Sequence, residues 1–360
     1  MRMSLITVCY NAEKTIATAM ASVAEQRVRL FDCSDCSDCS IAGGLEIEYI
    51  VVDGGSTDGT VREIENFAKK AKAKTEGEQR NFSFRWLSEK DRGMYDAINK
   101  GIRMATGDVI GILNADDVLA EDDVLWRIVR LFECSDCSID GCYGDIRFVK
   151  DDLDAKDANV ATEISAPARP CGPGAELISV AVLDNAAPNV DLRQARSAVD
   201  IPRAKRAAKQ ALCGVTQSSL AQNSDLCVKK LRALPTVRYC SGKWFRPWMF
   251  RFGTQTAHPS TFFRRECFAK WGDYSLDYGM YGDFELLCRF IWKNRARMKY
   301  LPICTTVMRM GGASTNGWRT TLKINRSDLR ALKANGCWSC LPLLYSRYLV
   351  KIWGFVFRGL

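Results

Sequence analysis

The chain has 360 residues, is 47% hydrophobic and carries a formal net charge of +9, enough apolar sequence to bury one large α/β domain with appendages, or two domains. Disorder throughout is excluded, and the charge is uneven: residues 1–150 carry 19 Lys/Arg against 26 Asp/Glu, residues 241–360 carry 20 against 6. An acidic N-terminal half and a basic C-terminal third fit a phosphate-bearing partner with a divalent cation, and equally a solvated basic surface.

The N-terminal MRMSLITVCYN has an apolar run too short for the core of a signal peptide, and no window of eighteen uncharged apolar residues occurs. The expectation is a cytoplasmic protein, at most peripheral on the cytoplasmic face of a membrane. SLITVCYN (4–11) reads as a buried strand, and Ile16, Met20 and Val23 recur at helix spacing behind it. LEIEYIVVDGGSTDGT is a second strand with a Gly/Ser/Asp turn, and Val61, Ile64 and Phe67 mark a second helix. FSFRWLSE is a third strand. YDAINKGIRMATGD is a third helix with Ile98, Ile102 and Ala105 on one stripe and Gly107 as its stop, and VIGILNADD is a fourth strand. Strands alternating with helices predict an α/β fold: a Rossmann-like, doubly wound, mostly parallel sheet, with ligands beyond the strands' carboxyl ends. Tyr10, Asn11, Asp53, Asp91, Asp116 and Asp117 all fall at such ends.

Cys33, Cys36, Cys39, Cys134 and Cys137 lie in the repeats CSDCSDCS and CSDCS. The spacing fits zinc, while the Ser-Asp filler fits low-complexity insertion. Residues 151–240 hold one aromatic, Tyr239, many alanines and basic clusters such as RAKRAAKQ. Such a segment builds little core. It reads as a loosely ordered or partly helical insertion over 151–243, or as an artefact of the gene model. Its cations lack interleaved aromatics, which speaks against nucleic acid. From Trp244 aromatics return, and 244–320 reads as the other wall of the crevice. In the C-terminal segment, 321–360, LPLLYSRYLVKIWGFVFRGL places Arg347, Lys351 and Arg358 within about 40° of arc at helical spacing, opposite Leu349, Ile352, Trp353, Val356 and Leu360. That pattern suits a helix on an anionic membrane surface or one docked on the core.

Asp116 and Asp117 are hard oxygen donors of the kind Mg²⁺ or Mn²⁺ shares with phosphate oxygens. Asp122 and Asp123, ahead of Leu125, Ile128, Val129 and Phe132, read instead as residues of a helix start. Asp283, before the helical FELLCRF, reads as a helix cap or a pocket carboxylate. Glu285 falls on the other side of the segment, so one of the two faces a pocket. His258, the only histidine, reads as structural or functional.

In order and spacing, TVCYNAEKTIATAMASV, EYIVVDGGSTDGT, SEKDRGMYDAINKGIRMATGDVIGILNADD, YGD at 143–145, and HPSTFF through GDFELLCR resemble the family 2 glycosyltransferases with the GT-A fold, over about residues 1–150 and 244–315. The resemblance implies a metal-dependent, inverting transfer of a sugar from a nucleoside diphosphate donor, UDP-linked, to a hydroxyl of a glycan or lipid-linked acceptor. It implies that Thr7, Tyr10, Asn11, Asp53 and Asp91 hold the nucleotide sugar. The DxD element corresponds to Asn114, Ala115 and Asp116. Asn at its first position departs from the pattern and leaves Asp116, helped by Asp117, as ligand of Mn²⁺ or Mg²⁺. Asp283 corresponds to the catalytic base, and His258 and Gly312, with Gly311 and Ser314, to the acceptor or diphosphate region. Asn114 and the insertions also suit a sugar-nucleotide-binding scaffold without turnover; a zinc-stabilised nucleic-acid binder is the more distant alternative.

Overall fold

A computed structural model describes residues 1–27, 45–75, 81–134, 138–150, 224–310 and 317–356. Among the described residues nine strands form one sheet: β1 (Arg2–Cys9), β2 (Glu46–Asp53), β3 (Phe82–Ser88), β4 (Val109–Asn114), β5 (Val118–Leu119), β6 (Gly141–Val149), β7 (Thr236–Cys240), β8 (Thr261–Arg264) and β9 (Met298–Arg309), in the order β3-β2-β1-β4-β8-β6-β9-β5 with β7 on β6. β1 to β4 are mutually parallel, and β6 and β9 run parallel to each other. The short strands β5, β7 and β8 run against their neighbours. The fold is therefore the expected α/β sheet, parallel in its N-terminal half and mixed beyond β4.

The sheet is covered on both faces because its central strands are apolar on both. From β1, Met3, Leu5 and Cys9 join one core with Ile16, Met20 and Val23 of α1 (Ile16–Ala24), Ile64 of α2 (Thr60–Thr75) and Ile128 and Phe132 of α4 (Val124–Glu133). Ile6 and Val8 join the other, with Ile98 and Ile102 of α3 (Met94–Met104) and the aromatics Phe250, Phe263, Phe284 and Phe290. This alternation at period two is what a doubly wound sheet requires.

Two details depart from the sequence reading and a third adds to it. Helix α3 stops at Met104, before Gly107, because the buried Glu48 carboxylate accepts the Thr106 amide at 2.7 Å and draws the chain off the helix. Residues 224–240 belong to the main body with 1–150, so the insertion read as 151–243 ends at 223. Val228 and Leu231 of the helical stretch 224–233 are buried, and β7 pairs with β6; the stretch lacks large side chains but needs few, since it borrows an existing core. Arg347, on an arc that suited either an anionic surface or the core, is turned inward from the helix Leu341–Val356. It pairs with Asp328 at 3.0 Å and donates to Gly253 O at 2.6 Å and Asn325 Oδ1 at 2.8 Å, because Leu344 buries the helix face beside it. Arg358, Leu360 and the cysteines at 33, 36, 39 and 137 lie outside the described residues, and no helix among the described residues is long and apolar enough to cross a membrane.

Leu231→Ala should cost about 2–5 kcal/mol in urea unfolding. An unchanged midpoint would place 224–240 outside the cooperative unit.

Candidate active site at the carboxyl edge of the sheet

Parallel register brings the ends of β1, β2, β3 and β4 to one edge: Cys9 lies opposite Asp53, Asp53 opposite Ser88, and Val8 opposite Asn114. Asp53 is fully buried there. Its carboxylate accepts from the amides of Gly55 and Ser56 at 3.2 and 3.0 Å, from Ser88 Oγ at 2.7 Å and from Ser56 Oγ. Burial alone would raise its pKa; the hydroxyl and amide donors outweigh it and hold the carboxyl below the usual range. Asn11, in the left-handed region at φ 49°, donates its amide to Ser56 Oγ at 2.8 Å and accepts the Thr57 amide at 2.9 Å, which latches the loops after β1 and β2 together. Tyr10 stands 64% exposed beside them. Thr7 is buried on the face of β1 that carries Leu5 and Cys9, and accepts from Tyr49 Oη at 3.0 Å.

Asp91 follows β3 and accepts the Gly93 amide at 2.9 Å. A Cβ on Gly54 would come within 2.5 Å of its Oδ2, so the absence of a side chain at 54 lets the two loops touch. After β4, Asn114 Nδ2 donates to Asp117 Oδ2 at 2.8 Å, and the chain turns through Asp117 N→Asn114 O at 3.2 Å. Asp117 is buried and Asp116 half-buried. Burial first, then the charge of Asp116, push the Asp117 carboxyl well above its ordinary value, against the donors Asn114 and Arg309. Two adjacent carboxylates, one of them short of compensation, suit a hard cation. Among the described residues no three His, Cys, Asp or Glu side chains gather as a metal-holding group. Asp123 sits at the N-cap of α4 and pairs with Arg127 at 2.9 Å, apart from this pair as read from the sequence.

The other wall comes from the C-terminal half. Asp283 lies in the first turn of the helix Gly282–Leu287, yet its oxygens bond outside that helix: Oδ1 accepts from Tyr95 Oη at 3.2 Å and Oδ2 from Gln255 Nε2 at 3.0 Å. Glu285 is instead neutralised by Arg289 at 3.0 Å. Tyr95 stacks on Tyr274 at 5.2 Å between centroids, and the Tyr274 hydroxyl meets His258 Nε2 at 2.6 Å. Burial, then the Asp283 charge, raise the Tyr95 phenol, which stays a proton donor. Burial lowers His258, against the pull of Asp283, and favours its neutral form. Gly312, with Gly311 and Ser314, lies outside the described residues. Asp145 of YGD is occupied within the fold, accepting from Tyr239, Tyr300 and the Gly242 amide.

Tyr95 and Gln255 escaped the sequence reading. Tyr95 precedes Ile98 by three on the stripe read as core, and its ring is indeed core; only the hydroxyl at the mouth of that stripe signals the site.

Residues 4–164 match the sequence model of Glycosyl transferase family 2. An uncharacterized glycosyltransferase of Mycobacterium tuberculosis is 32% identical over 127 residues, 35% of this chain and 38% of the relative. A PGL/p-HBAD biosynthesis glycosyltransferase of Mycobacterium bovis is 36% identical over 103 residues, 28% of this chain and 36% of the relative. The chain thus spans under two fifths of the length of these curated relatives. Among solved structures, TarS of S. aureus (residues 1–349) in complex with UDP-GlcNAc superposes with TM-score 0.43 at 14% identity, covering 91% of this chain and 67% of that one. The mannosyltransferase PcManGT of Pyrobaculum calidifontis in complex with GDP-Man and Mn²⁺ gives 0.43 at 15%, covering 98% and 80%.

Replacing Asp53 by Asn should cost about 2 kcal/mol of stability at pH 7, since buried donors lose their charged acceptor. Because the folded-state pKa is depressed, the native advantage is present above the unfolded carboxylate's pKa and is lost as pH falls through the folded value. Denaturant titrations at descending pH should therefore show the gap between D53N and the unmodified protein closing below the ordinary carboxylate range. A gap constant with pH would contradict the charge-based assignment.

Proposed function

We propose that this chain, whose residues 4–164 match the model of Glycosyl transferase family 2, transfers a sugar from a nucleoside diphosphate donor, UDP-linked, to a hydroxyl of a glycan or lipid-linked acceptor, with inversion at the anomeric carbon. The observation that carries this reading is Asp283: a carboxylate held from both sides by neutral donors, Tyr95 and Gln255, with its helix neighbour Glu285 already matched to Arg289. Tyr95 stands in the first turn of α3, just beyond Asp91, so the start of one helix joins the acid of the acceptor side to the donor edge.

In this scheme Asp283 takes the proton of the acceptor hydroxyl as that oxygen bonds to the anomeric carbon, and the bond from that carbon to the diphosphate oxygen breaks. Tyr95 and Gln255, one on each oxygen, fix the direction in which the carboxylate faces the acceptor. On the donor side Tyr10 offers an exposed ring to the nucleobase, while Asn11 and Asp91 line the joined loops. Thr7 and Asp53 act by setting the shape of those loops. Asp116, with Asp117 behind it and Asn114 orienting that residue, would hold Mn²⁺ or Mg²⁺, which when bound neutralises the diphosphate leaving group. His258, neutral and joined to Tyr274, borders the acceptor region. The reaction belongs on the cytoplasmic side, where nucleotide sugars are made, at the surface of a membrane when the acceptor is lipid-linked.

Asp283→Asn should lower kcat by about 10² to 10⁴ while leaving nucleotide affinity near that of the unmodified protein. Asp116→Ala should remove the response of sugar transfer to added Mn²⁺. Release of nucleoside diphosphate from a panel of sugar nucleotides, with Mn²⁺ and with chelator, reads both. Nucleotide binding with no release from any donor would replace this reading with that of a scaffold.

A further inference from the structure

The stretch 243–252 divides its aromatic residues sharply. Phe245 and Phe250 are buried, edge-on to each other at 5.5 Å, with Phe250 edge-on to Phe284 at 5.7 Å. Trp244 and Trp248 are 71% and 55% exposed. The turn after the helix Gly317–Ala334 abuts this stretch, since Ser339 Oγ donates to Arg251 O at 2.6 Å, and it carries Trp338 at 67% exposure with exposed Leu341 behind it. Lys243, Arg246 and Lys333 are exposed among them, with the Lys243 ammonium 5.3 Å from the centre of the Trp244 ring. No Asp or Glu occurs in residues 241–265 or 329–360.

A single exposed tryptophan needs no explanation. Here three of the protein's nine tryptophans and three cations gather on two abutting segments that contain no acid. Indole rings settle at the headgroup level of a bilayer, and each nearby Lys or Arg gains from anionic lipid. A platform for neutral glycans would be expected to set carboxylates or amides beside the rings to receive hydroxyls; these segments have no carboxylate, and the amides of Gln255 and Asn335 are engaged by Asp283 and Glu285. We infer that the surface bearing Trp244, Trp248 and Trp338 docks the protein onto an anionic bilayer. This surface does not draw on Arg347, whose guanidinium is committed to Asp328 and Gly253, and it does not rest on the catalytic reading, because a protein without turnover would dock equally well.

The test is sedimentation of the full chain with phosphatidylcholine vesicles, with and without phosphatidylglycerol. Partition should require phosphatidylglycerol and weaken with salt. Trp248→Glu combined with Trp338→Glu should reduce it at least about tenfold, and Lys243→Gln or Arg246→Gln about fivefold each. Since the replaced side chains are exposed, melting temperatures should stay unchanged, which separates lost docking from lost folding. Equal binding to neutral vesicles would overturn the proposal, as would a double Glu variant that partitions like the unmodified protein. So would self-association abolished by the same variants without any vesicle binding, which would make a second copy the occupant.

Discussion

A carboxylate set at the end of an apolar strand must be matched by donors or by a cation, because a buried negative charge without partners costs several kcal/mol or takes up a proton. The carboxyl edge of this sheet meets that constraint in three different ways. Asp53 is matched entirely from within: two amides and two hydroxyls converge on it, and in doing so shape the loop after β2. Asp283 is matched by two neutral donors, Tyr95 and Gln255, one on each oxygen. Asp117 is buried and takes donors from Asn114 and Arg309, yet burial and the adjacent Asp116 still push its carboxyl up, so this corner of the edge carries the negative charge that its own donors offset least well.

The same edge explains why the C-terminal half is needed. The parallel strands can supply loops, but each loop is tied to a neighbour: Asn11 to the loop after β2, and Gly54 pressed against Asp91. A carboxylate not tied into those loops comes from elsewhere in the chain: Asp283 arrives on the helix Gly282–Leu287, whose first turn meets Tyr95 of α3. Tyr95 is the hinge of that meeting. Its ring lies against Gly282, where a Cβ would come within 3.0 Å, and its hydroxyl both donates to the Asp283 carboxylate and accepts the Asp283 amide. A bulkier residue at 282 would push the phenol off the acid it orients.

The N-terminal architecture was legible because its signals are local. The apolar runs of β1, β2 and β4 and the stripe Ile16, Met20, Val23 each depend only on neighbours in sequence, and the parallel-sheet rule then carries Tyr10, Asp53 and Asp116 to one edge. What was not legible depends on partners far along the chain. β8 is four residues long and gains its place between β4 and β6 only by pairing with both. Residues 224–240 look coreless because their core is contributed by others. Helical periodicity sets Arg347 on one side of its helix but is silent on which side meets Asp328. Tyr95 was hidden by an opposite effect: its ring obeys the core pattern so well that the role of its hydroxyl leaves no separate trace.

The pairing of β6 with β7 closes the body on itself. Val149 lies opposite Thr236 and Phe148 opposite Arg238, and Leu231 of the helical stretch 224–233 packs into one small core with Val149, Val118 and Val307. Two stretches more than eighty positions apart in sequence are thus clamped side by side by backbone pairing and a shared core, so the sheet is finished by contacts that lie wholly within residues 1–150 and 224–310.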